Sequence, residues 1–143
     1  MGNNSQEELD DAFRRADYNA GLGKVVLMVH SLHSADIYAS RIRMSDTETP
    51  IDITERSAQI AAKGYATAIP MRLSRARTLR DGNKPGLSNI RLVEVETYVG
   101  YVEANASRNG NSSEELFLEY SGSSKQEILD EVGKVRKELQ GKS

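Results

Sequence analysis

The sequence predicts an α+β fold: an antiparallel sheet of about five strands with N-terminal, central and C-terminal helices. Two observations carry this expectation. The stretch Asn89–Ala104 (N-I-R-L-V-E-V-E-T-Y-V-G-Y-V-E-A) is rich in Val and Tyr and alternates in polarity, as a strand does. Two other segments, near each end of the chain, carry capping signals and apolar residues at helical spacing. At 143 residues the chain fits one domain, residues 1–143, long enough to build a core without staples.

Taken in order, Ser5 to about Ala20 predicts a helix. Ser5-Gln6-Glu7-Glu8 is a capping box, and Leu9, Ala12, Phe13, Ala16 and Ala20 form one stripe that Gly21 stops. Lys24–Leu32 is a continuous apolar run that suits a strand buried on both faces, with a buried helical segment as the alternative. Ile37–Met44 reads as a more exposed strand, and Ser45–Pro50 as a polar loop. Asp52 to about Ala68 predicts an Ala-rich helix, capped by Asp52 and ended by Pro70. Gly64 inside it points to close backbone approach.

Met71–Arg80 fits neither period well; a strand is favoured because a turn signal (Asp81 to Gly86) and the alternating stretch follow. A single strand over Asn89–Ala104 would span about 50 Å, so it needs a bulge near Leu92–Val93 or a bend at Gly100. Asn105–Ser113 reads as a hairpin loop around Asn109-Gly110, and Leu116–Tyr120 as the returning strand. The last helix runs from Ser123 or Ser124 to about Gln140. Ser124-Lys125-Gln126-Glu127 forms a second capping box, Ile128, Val132, Val135 and Leu139 a stripe, and Gly141 the stop.

Composition narrows the function classes. Zero cysteines remove disulfides, thiolate nucleophiles and Cys-based metal sites, and permit a cytoplasmic location. No apolar run approaches the ~20 residues of a membrane span, and no signal-peptide pattern is read, so no membrane partner is expected. Gly21-Leu22-Gly23-Lys24 lacks the earlier Gly and the following Ser or Thr of a phosphate loop, and no cofactor is expected. His30, His33 and Asp36 would share a face only on a helix; in a strand followed by a turn they hold no metal. Glu94 and Glu96 would lie about 7 Å apart on one strand face, and read more simply as an exposed face paired with Arg75 or Arg77 across the hairpin than as a catalytic pair. The chain is therefore expected not to be an enzyme.

Charge is the most uneven property. Net charge is −2, but residues 72–91 hold six basic residues and one acid, leaving 13 basic and 20 acidic residues elsewhere. Arg72, Arg75, Arg77, Arg80, Lys84 and Arg91 form a basic arm suited to phosphates, with Ser74, Thr78 and Asn83 as neutral donors. The competing reading is ion pairing of this arm with Glu94, Glu96 and Glu103. The apolar face Val93, Val95, Val99 and Tyr101 is expected at an interface between copies, as a dimer or larger assembly. The sequence thus points to a self-associating binding protein that contacts nucleic acid or another polyanion. The alternative is a protein-binding adaptor, chaperone or virion-type structural protein.

Overall fold

The computed structural model describes residues 2–45 and 52–141, and they contain no strand. The expected antiparallel sheet is overturned: the chain is built from helices. They are α1 (Gly2–Gly21), α2 (Val25–Ser45), α3 (Thr54–Asp81), α4 (Pro85–Arg108), α5 (Ser113–Leu116) and α6 (Lys125–Gln140), with a π-helical turn at Phe117–Ser121 between the last two. Short turns fold α1 on α2 and α3 on α4, and α3 touches every other element. One core cluster joins α1, α2 and the first half of α3 around Phe13 and Met28. The other joins the second half of α3 to α4, the π turn and α6 around Ile69, Leu92, Phe117 and Val135. Tyr65 packs against both clusters.

The segment expected as the central strand is α4. Its buried residues are Ser88, Leu92, Val95, Val99, Val102 and Ala106, which step by four and three. That is a helical stripe facing α3 and α6. The alternation in the sequence arises because Leu87, Ile90, Val93 and Tyr101 form a second apolar set exposed on the opposite side. Two interleaved helical stripes imitate a period of two. No bulge is needed at Leu92–Val93 and no bend at Gly100, because 24 residues of helix span only about 36 Å. Pro85 occupies the first turn, where its missing N–H costs nothing.

The two strands expected over 24–32 and 37–44 are one helix, α2, which runs through His33–Asp36 without a turn. The apolar run reflects the first turn of α2, Val25–Val29, which is apolar all round; beyond it the outward side carries His30, His33, Asp36, Ser40, Arg41 and Arg43. Met28, Ala35 and Ala39 face the core, while Val26, Leu27, Val29 and Ile37 do not. Past Ser45, the expected 45–50 loop lies outside the described residues.

Helix α3 continues thirteen residues beyond the expected stop at Ala68, through Pro70 and the whole of 71–80. Pro70 cannot donate to the carbonyl of Ala66, four residues back. That carbonyl instead accepts a 2.6 Å hydrogen bond from the Ser121 hydroxyl, carried on the π turn. The wider turn at 117–121 replaces the expected strand 116–120 and brings Ser121 to the gap Pro70 leaves. Gly64 does mark a close approach: a Cβ there would meet the Met28 sulfur and the Ala20 methyl. Asp52 Oδ1 accepts from the Thr54 N–H at 2.9 Å, which holds the Asp52 carboxyl below its usual range.

The helix ends follow sequence signals unevenly. The Ser124 capping box forms with both reciprocal bonds, and the expected stripe of α6 is buried. Ser5 caps nothing, because α1 starts at Gly2 and includes it. The turn signals at 81–86 and at Asn109-Gly110 reverse the chain as expected, but between helices. Asn83 and Gly110 take the left-handed conformation there.

Candidate interaction surface

Helices α2 and α4 lie on either side of the first half of α3. Between them runs a groove of about 590 Å³, walled by Val29 and Leu32 of α2 and by Tyr101 and Ala104 of α4. Ile53, Ala58, Ala61 and Tyr65 complete its apolar lining, and Asp36 and Arg108 supply opposite charges. Tyr65 stacks at a tilt on Tyr98 and Tyr101, with ring centroids 5.2 and 4.9 Å away. Burial, and after it the two neighbouring phenols, pushes the Tyr65 hydroxyl above its ordinary range.

The α4 wall continues outward as an apolar helix face, while the outward side of α2 mixes apolar residues with His30, His33 and Arg41. On α2, Val26 is 78 % exposed and Met44 84 %, and Ile37 lies on the same side. On α4, Ile90, Val93 and Tyr101 are each about half exposed. Thr97 sits among them, and its hydroxyl is taken up by the Val93 carbonyl at 2.9 Å. Contiguous apolar surface of this kind usually marks a contact site.

The residues expected at an interface divide between the two sides of α4. Val95 and Val99 are inside the chain's own core and cannot meet another copy. Val93 and Tyr101 remain at the surface. The sequence signal that separates them is the four-three step of the buried set, which the strand expectation hides.

The basic arm is largely committed within the chain. Arg72 and Arg91 both reach the Glu94 carboxylate, Arg77 binds Glu131 at 2.8 Å, and Arg80 binds Asp81 and Glu138 at 3.0 and 2.6 Å. No ion pair is formed by Arg75 or Lys84 among the described residues. The competing expectation of pairing with Glu94 is met by Arg72 and Arg91, and not by Arg75 or Arg77 across a hairpin. Glu96 and Glu103 pair instead with α6, through Arg136 at 2.6 Å and Lys125 at 2.8 Å. Two hydrogen bonds from Arg136 hold the Glu96 carboxyl below its usual range. These pairs tie α3, α4 and α6 together.

His30 and His33 do fall on one helix, contrary to the strand expectation, and both are exposed. No group of three or more potential ligands comes together among the described residues. No helix among them is long and apolar enough to cross a membrane. Comparisons with protein-family models, curated proteins and solved structures find no match to this chain.

Proposed function

We propose that this chain is a non-enzymatic, self-associating helical binding protein, an adaptor or structural subunit that works as an assembly in the cytoplasm. One observation carries the reading: the outer side of α4 is apolar and uncharged from Gly86 to Ala104, and the chain's own core covers only its other side. Exposed apolar surface of that kind on a helix usually marks a contact site. Glu94, Glu96, Glu103, Glu131 and Glu138 are engaged by basic side chains as ion pairs between α3, α4 and α6, which supports a structural role for them over catalysis.

Contact with a polyanion would rest on Arg75 and Lys84, two charges where the sequence offers six. Binding through two phosphates is weak and falls with modest salt. Self-association is therefore the stronger reading. The experiment is sedimentation equilibrium of the full chain from micromolar to about 100 µM, a range that spans weak and standard interfaces. A mass of two or more chains is expected. A monomer mass throughout, with full helical circular dichroism, overturns the proposal.

A further inference from the structure

The outer side of α4 has the character of one half of a symmetric contact. From Gly86 to Ala104 it presents Leu87, Ile90, Val93, Thr97, Gly100, Tyr101 and Ala104, all exposed. Seven-residue steps relate Ile90, Thr97 and Ala104, and relate Gly86, Val93 and Gly100. That is the spacing with which one helix meets another along its length. Charge is kept off this side. Its one acidic neighbour, Glu94, is held by Arg72 and Arg91, and Glu96 and Glu103 are turned to α6. The Thr97 hydroxyl is satisfied by its own helix, so the residue offers a methyl group.

Gly100 adds a second argument. It stands in mid-helix, and a Cβ built on it would meet nothing within 4 Å. The fold of one chain gives no reason for this glycine, unlike Gly64, whose Cβ would strike Met28. Gly133 in α6 has similarly open surroundings, but Asp130 and Lys137 flank it on that face. Gly100, like Gly86 in the first turn of α4, lies within an uncharged stripe, where a missing side chain lets another backbone come close.

The self-association proposed above leaves the face open; resting on that reading, we infer that the second copy docks on the outer side of α4. The two α4 helices lie antiparallel along their outer sides, with the two-fold axis near Thr97 and Gly100. An isologous contact requires a patch that complements itself, and an uncharged stripe meets its own copy without like-charge repulsion. The half-exposed side chains of α4 are too few for the ~800 Å² per partner of a standard interface. The groove beside them, with Val29 and Leu32 on its far wall, supplies further contact, part apolar and part polar through Asp36, Asn105 and Arg108, as the partner helix passes over it. Such a dimer belongs in the micromolar range.

The test uses full-length variants at the exposed Thr97. Sedimentation of Thr97→Arg is expected to show a monomer where the wild type is a dimer, a loss of affinity of at least about tenfold. Thr97→Cys, in a chain with no native cysteine, is expected to form a disulfide-linked dimer under mild oxidation, whereas Gln126→Cys on α6 does not. If Thr97→Arg fails to fold, the cysteine pair decides alone. An oligomer unchanged by Thr97→Arg but dissociated by Val26→Arg overturns the α4 assignment and leaves self-association standing. A wild-type monomer overturns both.

Discussion

Ser121→Ala tests the joint between the π turn and α3. Pro70 leaves the Ala66 carbonyl without its helical donor, and the Ser121 hydroxyl fills the place at 2.6 Å. Ala66 is fully buried. Removing the hydroxyl leaves a buried acceptor unsatisfied, at a cost of about 1–3 kcal/mol. Unfolding entropy for a chain of 143 residues is about 0.3 kcal/mol/K, so Tm should fall by about 3–10 °C. The same substitution made on a Pro70→Ala background should cost less than about 0.5 kcal/mol, because the restored N–H then reaches Ala66 itself. The cycle cancels what Pro70→Ala does to the unfolded chain, and its coupling energy should be about 0.5 kcal/mol or more. Thermal and urea unfolding of the four proteins, followed by circular dichroism, measures it. Equal penalties for Ser121→Ala in both backgrounds would refute the argument.

Gly64→Ala and Gly100→Ala should move stability in opposite directions. The first forces Met28 aside and should cost about 1–3 kcal/mol in urea unfolding; the second should stabilise the isolated chain by up to about 1 kcal/mol while weakening self-association. In acid, the Glu96–Arg136 pair should lose its contribution. Glu96 has a lowered folded value, so the unfolded chain binds that proton first as pH drops; the stabilisation is complete above the ordinary glutamate range and disappears as pH falls through the lowered value. Because both side chains are partly exposed, the effect stays under about 1 kcal/mol, and Glu96→Gln should flatten the acid limb of Tm against pH. A parallel acid limb in the variant would show that the pair carries none of it.

Read by itself, the sequence determined most of what depends on neighbours along the chain, the Ser5 capping box being an exception. The α6 capping box and stripe, the α1 stripe of Leu9, Ala12, Phe13, Ala16 and Ala20, and the reversals at 81–86 and at Asn109-Gly110 were legible as local rules of cap, period or left-handed turn. Gly64 was legible as a close approach, though not what approaches it. The tertiary structure decided where a local rule pointed two ways. Val and Tyr alternate in α4 because one side faces Leu73 and Val135 across the core and the other faces outward; with both sides apolar, helical and strand periods produce the same string. The first turn of α2, apolar all round, likewise made it resemble a buried strand. Pro70 stops a helix unless a donor arrives from elsewhere, and Ser121 comes from 55 positions away in sequence. Pairing of the basic arm with Glu94 was legible, but the partners of Arg77 and Arg80, Glu131 and Glu138, were not, because α6 carries them more than fifty residues downstream. Side-chain chemistry is written in the sequence, but which groups meet, and which face is left uncovered, depends on burial shared among distant segments.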